Sequence, residues 1–393
     1  MTHPDPTPRP NALARLRRSV IRLADRLGFR SGFRPGRRGA ISPRAYAESV
    51  GDDRYFHRTL RPRVVLQAPL PANVADREDL SRERRPWGFS FHDVPQRQVE
   101  ACCVARLPEC RILPFRNRWG SEFHAVVARD GRRVRLHGTR FPADVEPIGA
   151  GPAVDCGEAA WIVGRWHRNY YHWLLYHLPK IMVLQDLGAE PGLLIPGQGA
   201  LRAVIEASLE ALGIESSRLR SAPAGAMRAD PLWVVEADRF DPQLLQELRR
   251  RIVGCKGPAS RRVYLSRERT RRRRLANAPD VTGPLGGAGF ETVRAEELTF
   301  QEQVALASST EILVGVHGAA LTNMLFMPEG AHVIELANPE YPSPAFYALA
   351  SALGLRYWLV WGRQREDRGP GTLDVEVDPR EVERVIAAIE KAG

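Results

Sequence analysis

The chain has 393 residues, which is longer than one ordinary domain and predicts two or three. A hydrophobic content of 44% and a charged content of 26% are typical of soluble globular proteins and exclude wholesale disorder. No apolar run approaches the roughly 18 residues that a membrane-spanning helix needs. Because the N-terminal residues also lack the pattern of a secretory signal, we expect a cytoplasmic protein.

The positive charge is concentrated at the N-terminus. The formal charge of the whole chain is +11, and residues 1–45 contribute +9 of it, from eleven arginines against two aspartates. The remainder is nearly neutral, which argues against a protein built around nucleic acid. We therefore expect a local electrostatic role for residues 1–45 and no specific nucleic-acid partner.

Apolar residues recur at steps of three and four along residues 11–28 and predict a helix with one apolar face and a basic remainder. Such a helix either docks peripherally on the anionic inner face of a membrane or packs against its own domain. Residues 29–45 are rich in Gly, Arg and Pro and are predicted to be a linker. Residues 60–150 combine short strand-like runs, over 64–66, 124–128 and 133–137, with many prolines, and we interpret them as an accessory α+β extension.

Strands and helices alternate from residue 159 onward, in two series. The first predicts strands over 160–163, 193–195 and 232–236 and helices over 170–187, 199–212 and 241–253. After a linker over 254–260, the second predicts strands over 263–266, 291–294, 312–316, 332–336 and 357–360, and helices over 299–309, from 318, over 344–353 and over 379–391. This alternation is typical of parallel sheets. We therefore expect an α/β fold with two doubly wound, Rossmann-type domains facing a cleft, divided as 1–45, 46–254 and 255–393.

The five cysteines, at positions 102, 103, 110, 156 and 255, predict neither a disulfide framework nor a zinc site. Their number is odd, and no CxxC pair has a second pair at zinc spacing. We expect reduced, buried cysteines and no metal site, with metal binding by Cys102, Cys103 and Cys110 as the alternative.

The most informative motif is residues 315–323, Gly-Val-His-Gly-Ala-Ala-Leu-Thr-Asn. A buried strand leads into a His-Gly-Ala turn and a helix, whose N-terminus offers unpaired N–H groups to an anion. Gly318 permits close approach of the backbone, and His317 stands at the carboxyl end of its strand, where it can donate to a phosphate oxygen. The alternative is a purely structural turn capped by His317.

Two further features suggest a nucleotide. Glu335 lies in the following strand, where a carboxylate can accept ribose hydroxyls, although a solvent-exposed strand end is the ordinary interpretation. Arg267 follows a strand and precedes four consecutive arginines at 271–274. Arginine matches phosphate geometry with two parallel hydrogen bonds, whereas the run alone is typical of a solvated patch.

Residues 166–180 combine three histidines with several aromatic residues. His167, His172 and His177 are five apart, about 140° of rotation per step on a helix, so a shared zinc site is disfavoured. One histidine can serve as a general base while the aromatic side chains form a sugar-binding wall. A half-buried aromatic helix is the alternative.

These motifs, in this order, resemble glycosyltransferase family 61. The resemblance rests on NYYHWLL at 169–175, YLSR at 264–267, HGAALTN at 317–323, FMP at 326–328 and VIEL at 333–336, and covers about residues 155–340. It implies a GT-B fold, inversion at the anomeric carbon, no cofactor, a nucleotide-diphosphate sugar as donor, with a UDP-sugar favoured, and a glycan or lipid-linked acceptor. Bacterial relatives serve surface polysaccharide biosynthesis. Because the sequence has no Asp-x-Asp pair, we expect Arg, His and helix N-termini to neutralise the diphosphate without a metal.

The resemblance also implies roles for individual residues. The donor side comprises Ser266, Arg267, Arg273, His317, Gly318, Ala319 and Asn323 around the diphosphate, and Glu335 near the ribose. The acceptor side comprises Asn169, Tyr171, Trp173, Tyr176 and His177, and His172 is predicted to be the general base. Relatives commonly carry an acid near 176–177, which this chain lacks. A catalytically inactive, membrane-associated scaffold in polysaccharide assembly is therefore the alternative function.

Overall fold

The computed structural model describes residues 39–84, 86–117, 122–136, 145–147, 152–162, 168–196, 199–222, 225–254, 257–365 and 372–392. Most of the predicted basic tail, including its helix over 11–28, lies outside these residues, as does Cys255. The other four cysteines are free thiols; Cys102 and Cys110 are buried, whereas Cys103 and Cys156 are half-buried. In the described part of the chain, no helix is both long and apolar enough to cross a membrane.

The first part of the chain is rich in strands. Its elements are β1 (Ala40–Ile41), α1 (Pro43–Glu48), β2 (Phe56–Arg61), β3 (Val64–Gln67), β4 (Gln96–Val99), β5 (Cys102–Leu107), β6 (Cys110–Asn117), β7 (Glu122–Ala128), β8 (Arg133–Val134), β9 (Val145–Pro147) and β10 (Val154–Asp155). The strands predicted over 64–66 and 124–128 lie within β3 and β7.

The middle of the chain alternates strands and helices. Its elements are β11 (Ala159–Trp161), α2 (Tyr170–His172), a π-helical turn (Trp173–His177), α3 (Leu178–Asp186), β12 (Gly192–Pro196), α4 (Arg202–Glu210), β13 (Leu219–Ala222), β14 (Met227–Ala229), β15 (Leu232–Glu236) and α5 (Pro242–Val253).

The last part alternates again. Its elements are β16 (Arg261–Leu265), α6 (Ala278–Gly287), β17 (Glu291–Val293), α7 (Phe300–Ser308), β18 (Thr310–Val316), a 3₁₀ helix (Ala319–Phe326), β19 (His332–Ala337), α8 (Ala345–Leu353), β20 (Arg356–Trp361), β21 (Arg363–Arg365), β22 (Asp374–Glu376) and α9 (Pro379–Ala392).

Three large sheets organise these elements. A seven-stranded sheet has the order β1-β8-β7-β6-β14-β10, with β9 paired to β6. A six-stranded sheet has the order β13-β12-β11-β15-β5-β2. Its first four strands are mutually parallel, whereas β5 is antiparallel to both of its neighbours, β15 and β2. A five-stranded sheet has the order β17-β16-β18-β19-β20 and is parallel throughout. The α/β class is therefore confirmed.

Local sequence fixes where the helices begin and end. Asp241 caps α5 by accepting from the backbone N–H of Leu244 at 3.2 Å, Pro242 occupies the first turn, and Gly254 ends the helix at φ 66°. The side chain of Thr299 accepts from the backbone N–H of Glu302, whose carboxylate accepts in return, so a capping box starts α7.

Two hydrophobic cores lie on opposite faces of the five-stranded sheet. One core extends without interruption into the six-stranded sheet and includes Leu245 of α5, Met324 of the 3₁₀ helix and Leu349 of α8. The other is covered by α6 and α9, where Val385 and Ile389 are buried one turn apart. The first core therefore joins both α/β halves through their helices.

Two expectations about the elements are wrong, and one helix is not predicted. The sequence does not predict α6, because Pro284 and three glycines mask the apolar positions that the helix buries. The segment from 318 is a 3₁₀ helix instead of an α-helix. The six-stranded sheet is completed by β2 and β5, which were expected in a separate accessory layer; these strands alternate apolar and polar residues irregularly, and their partner lies far away in sequence.

A buried ion pair fastens β4 to the segment that follows β15. Nη1 of Arg97 lies 2.9 Å from Oδ2 of Asp238, and the two side chains are only 9% and 10% exposed. Asp238 also accepts from the backbone N–H groups of Phe240 and Glu100. Burial opposes ionisation of the Asp238 carboxyl, but the guanidinium of Arg97 outweighs it and lowers the pKa of Asp238.

The Asp238→Ala variant should lose about 3 kcal/mol of unfolding free energy at pH 7, because the guanidinium of Arg97 is left buried without its carboxylate. Since the pKa of Asp238 is lower in the folded than in the unfolded chain, this contribution is complete above about pH 4 and is lost as the pH falls through the folded-state pKa. Urea unfolding at pH 7 and pH 3 measures both values. Asp186→Ala, which breaks an exposed pair with Arg251, is the control and should cost less than about 1 kcal/mol. An equal loss for Asp238→Ala at both pH values would contradict the assignment.

Candidate active site

The five-stranded sheet contains a topological switch point beside the predicted donor residues. Numbered in chain order, its strands run 2-1-3-4-5, so the chain leaves β16 and β18 toward opposite faces of the sheet. Ligands of such sheets bind outside the carboxyl ends of the strands at this point. Ser266 and Arg267 follow β16, whereas His317 and Gly318 follow β18, and the structure therefore brings these four residues together.

Arg267 supplies a half-buried positive charge at the switch point. Its Nε donates to the carbonyl of Arg273 at 3.0 Å, and its Nη2 donates to the carbonyl of Arg272 at 3.2 Å. Within the described residues, no carboxylate forms an ion pair with this guanidinium. Burial, assisted by the like charge of Arg273, lowers the pKa of Arg267 to about 10. A desolvated cation without a counterion is suited to an anionic ligand.

The guanidinium of Arg267 occupies the space that a side chain at residue 318 would need. A Cβ atom at residue 318 would lie 2.7 Å from Cζ of Arg267 and would collide with the guanidinium. The φ of Gly318 is 176°, an extended value that any residue adopts, so the requirement is for space alone. The absence of a side chain lets the arginine lie against the backbone of the His-Gly turn.

Arg273 holds a second cation beside the first. Its backbone is left-handed, with φ 57°, and its N–H donates to the carbonyl of Thr372 at 2.8 Å. The guanidinium lies 5.7 Å from the ring centroid of Tyr341, and it has no ion pair in the part of the chain that the structure describes. Residues with this backbone conformation cluster at functional sites.

Glu335 orients His317 and has a different environment from the one expected. The carboxylate is completely buried; its Oε1 lies 2.5 Å from Nδ1 of His317, and its Oε2 accepts from the hydroxyl of Tyr357 at 2.7 Å. Both oxygens are therefore engaged within the protein, and an approach of Glu335 to a ribose stays a prediction. A carboxylate on one ring nitrogen fixes the orientation of the imidazole and directs Nε2 away from it.

A hydrogen bond connects the two α/β halves next to this turn. The hydroxyl of Tyr170, the first residue of α2, donates to Oδ1 of Asn323 at 2.6 Å, and Nδ2 of Asn323 donates to Oε1 of Gln303 at 2.8 Å. Both ends of the buried Asn323 amide are thus occupied by protein. Asn323 thereby positions α2, and its contact with a diphosphate stays a prediction.

Three of the five predicted acceptor-side residues form hydrogen bonds within the protein. Trp173 is completely buried and donates from Nε1 to Ser208 at 2.8 Å, and His177 is completely buried with Nδ1 3.0 Å from the carbonyl of Ile162. Both side chains therefore have protein partners in the core, and their contact with an acceptor stays a prediction. Asn169 caps α2 by accepting from the backbone N–H of His172 at 3.4 Å. The π-helical turn packs the intervening residues into the core.

Tyr171 and His172 remain at the junction of the halves. Their rings lie 5.0 Å apart, and the ring of Tyr171 lies 5.7 Å from that of Phe346, which is itself 4.9 Å from the imidazole of His317. Burial raises the pKa of Tyr171, on which the charges of Arg239 and Asp238 also act. His172, half-buried on α2, is therefore connected to His317 through the rings of Tyr171 and Phe346.

Residues 170–334 match the family model described as Glycosyltransferase 61. The chain therefore carries a glycosyltransferase 61 domain. The match begins at the first residue of α2 and ends inside β19, one residue before Glu335. It thus contains the cationic switch point, the Tyr170–Asn323 hydrogen bond and the proposed base His172.

Curated relatives agree with the family 61 domain. The chain is 40% identical over 98 residues to an EGF domain-specific O-linked N-acetylglucosamine transferase of Drosophila melanogaster, covering 24% of this chain and 18% of the relative. The Bos taurus protein of the same description is 32% identical over 132 residues, or 32% and 24% of the two chains. A Bos taurus protein O-linked-mannose beta-1,4-N-acetylglucosaminyltransferase 2 is 32% identical over 114 residues, or 27% and 19%. The chain therefore spans less than a quarter of the length of each of these relatives.

Three residues near the site were not singled out from the sequence. Arg239 follows β15, lies 5.1 Å over the ring of Phe240, and forms no ion pair with any described residue. Tyr341 follows β19 and packs against His317, with ring centroids 5.4 Å apart. Trp87 packs against Tyr341 at 4.5 Å. Arg239 and Tyr341 each follow a predicted strand, and this position could have indicated them as candidates. The sequence around Trp87 contains no such signal.

Lys180 lies in the first turn of α3, directly after the π-helical turn. It is 6% exposed, and its Nζ lies 3.6 Å from the ring centroid of Tyr176, one helical turn earlier. Burial lowers the pKa of Lys180 to about 7, although the nearby charges of Glu236 and Cys102 act in the opposite direction. The ring of Tyr176 therefore covers a buried amine.

Lys180→Met should stabilise the protein at pH 7 by about 2–4 kcal/mol, because the thioether fills the same space without the cost of a buried charge. The folded-state pKa is below the unfolded value of about 10.4, so the native chain regains stability as the pH rises from 7 to 10. The advantage of the variant should therefore be largest below pH 7 and fade by about pH 10. Chemical unfolding across this range measures it, with Lys391→Met, an exposed lysine in α9, as the matched control. A gain independent of pH would rule out the buried-charge explanation.

Proposed function

We propose that this protein transfers a sugar from a nucleoside-diphosphate donor to a hydroxyl of a glycan acceptor, with inversion at the anomeric carbon. The observation that carries the proposal is the pair of arginines without carboxylate partners in the described chain, Arg267 and Arg273, placed with His317 at the switch point of a family 61 domain. A diphosphate is the anion that two guanidinium groups and an imidazole fit best.

The donor diphosphate would lie against the backbone of the His-Gly turn. Arg267 and Arg273 would neutralise its oxygens, Ala319 and Ser266 would border it, and Nε2 of His317, directed by Glu335, would contact the oxygen nearest the sugar. Fixed charges of this kind stabilise the negative charge that grows on the leaving group. The positive charge of these side chains supports a mechanism in which diphosphate neutralisation does not require a metal.

The acceptor would enter from the side of α2. We infer that His172 removes the proton of the acceptor hydroxyl as its oxygen attacks C1 of the sugar. The bond from C1 to the diphosphate oxygen breaks at the opposite face, and the nucleoside diphosphate leaves. The position of His172, separated from His317 by the rings of Tyr171 and Phe346, supports this division into base and leaving-group sides.

We also infer a GT-B arrangement, in which the six-stranded and five-stranded sheets belong to facing domains. The contact of α2, which follows β11, with the 3₁₀ helix that follows β18 supports it, since both lie beyond the carboxyl ends of parallel strands. The relatives, by their descriptions, modify sugars or EGF domains of proteins. For this chain we propose a glycan or lipid-linked acceptor, as the resemblance to polysaccharide enzymes implies, and a UDP-sugar donor.

Calorimetric titration with UDP, GDP, CMP and ADP tests the donor site. We expect saturable binding of one of them, UDP favoured, with an affinity unchanged by EDTA. Arg267→Ala should weaken this binding about 10- to 100-fold, because a charge-assisted hydrogen bond to phosphate is lost. Arg271→Ala, an exposed arginine four residues away, is the matched control and should leave the affinity within about twofold. If none of the nucleotides binds, the chain is better described as a scaffold.

Substitution of His172 tests the base. His172→Ala should leave the affinity for the nucleotide unchanged and lower turnover by at least about 10²-fold, the usual contribution of a general base. Transfer is measured with radiolabelled UDP-sugar and the acceptor that supports the highest rate in a panel of glycans, lipid-linked glycans and O-glycosylated peptides. His332→Ala, a histidine paired with Trp358 away from α2, serves as control. Unchanged turnover in His172→Ala would remove this residue from the role.

A further inference from the structure

A segment outside the family 61 match reaches the candidate site. We call residues 69–84 and 86–93 the strap. The carbonyl of Pro69 accepts from the hydroxyl of Tyr347 at 2.6 Å, and the N–H of Ala72 donates to the carbonyl of Tyr357 at 2.7 Å. The side chain of Asn73 bonds both the carbonyl and the N–H of Leu359, at 2.8 and 3.0 Å. The strap is thereby fixed along the edge strand β20.

The end of the strap places Trp87 between the two halves. The Trp87 ring meets the Tyr341 ring edge to face, 4.5 Å from its centroid, and Tyr341 contacts both His317 and Arg273. Two residues later, Phe89 contacts Phe240, which follows β15 of the six-stranded sheet, with centroids 5.9 Å apart. Trp87 therefore lies next to the proposed diphosphate site, on the side that faces the six-stranded sheet.

Two polar atoms in this region are buried without a hydrogen-bond partner in the described chain. They are Nε1 of Trp87 and the hydroxyl oxygen of Tyr171. Buried polar groups are almost always satisfied, so these two atoms call for a partner that the described residues do not supply. Tyr171 approaches the same place from α2, because its ring packs on Phe346 beside His317.

The chemistry of this region matches one part of the donor. A pyranose ring has apolar C–H faces, which pack on aromatic rings, and hydroxyls at its edge, which accept hydrogen bonds from an indole N–H and a phenol. The transferred sugar is also the only part of the donor that has to lie between the diphosphate and the acceptor. The nucleoside extends from the other end of the diphosphate.

We propose that Trp87, Tyr341 and Tyr171 form the subsite for the transferred sugar. The inference rests on the proposed function and adds to it the residues that recognise the sugar. Tyr341 and Trp87 would form the wall on which the ring packs, and the Trp87 indole and Tyr171 hydroxyl would bond its hydroxyl groups. Since Trp87 and Tyr341 both lie outside residues 170–334, recognition of the sugar is supplied by segments that flank the matched domain.

Comparison of UDP with UDP-N-acetylglucosamine, a sugar suggested by the relatives, tests the subsite. Each is titrated calorimetrically into the full chain and into Trp87→Ala, Trp87→Phe and Tyr171→Phe. We expect Trp87→Ala to weaken binding of the nucleotide sugar about tenfold or more and to leave UDP within about twofold, because the sugar contacts alone are lost. Trp87→Phe and Tyr171→Phe, which keep a ring, should each show a smaller loss confined to the nucleotide sugar.

The controls separate this inference from the proposed function. Trp233, a half-buried tryptophan near the start of β15, donates from Nε1 to Glu158. Trp233→Ala should change the affinity for neither UDP nor UDP-N-acetylglucosamine. Thermal melting verifies that every variant is folded. If Trp87→Ala weakens UDP as much as UDP-N-acetylglucosamine, or weakens neither, the sugar subsite is wrong while the donor site stands. If neither ligand binds the unaltered chain, the proposed use of a UDP-sugar fails, and the subsite fails with it.

Discussion

The hydrogen bond between Tyr170 and Asn323 is the constraint on which the site depends. It fixes the start of α2, which follows a strand of one sheet, against the 3₁₀ helix that follows a strand of the other. Gln303 holds the second end of the Asn323 amide, so the contact is tied to α7 as well. Because one hydrophobic core joins the six-stranded and five-stranded sheets, the carboxyl edges of these two sheets are held at a fixed distance from each other. The residues proposed for catalysis follow the strands of these two edges.

Arg267 lies at the switch point without an ion pair to any described residue, because the nearby carboxylate of Glu335 is bonded to other side chains. Arg267 donates to two carbonyls of its own loop, which orients it without neutralising it. The carboxylate closest to the turn, Glu335, is fully engaged with His317 and Tyr357. Glu296 and Asp374 act on Arg267 without forming an ion pair with it, so its guanidinium can still pair with an anionic substrate.

The sequence predicts the parallel strands and the residues after them well, because a buried strand between two helices leaves a continuous apolar run. The carboxyl ends of β16 and β18 could therefore be located, and with them Arg267 and His317. The roles of Trp173, His177, Asn323 and Glu335 could not be predicted. Their residue types suit either binding or architecture, and only burial distinguishes the two: each is 4% exposed or less. Trp87 was missed because its relevance depends on a contact with Tyr341, more than 250 positions away.

The attachment of the strap has a consequence for the order of folding. Asn73 bonds Leu359 across 286 positions of sequence, and the N–H of Ala72 completes the same edge. During synthesis from the N-terminus, the strap has no docking partner until almost the entire chain has been made. Closing so long a loop is also slow, because its entropy has to be lost before the contact forms. The backbone groups of β20 thus receive their cover in one of the last steps of folding, and the wall carried by Trp87 is assembled with it.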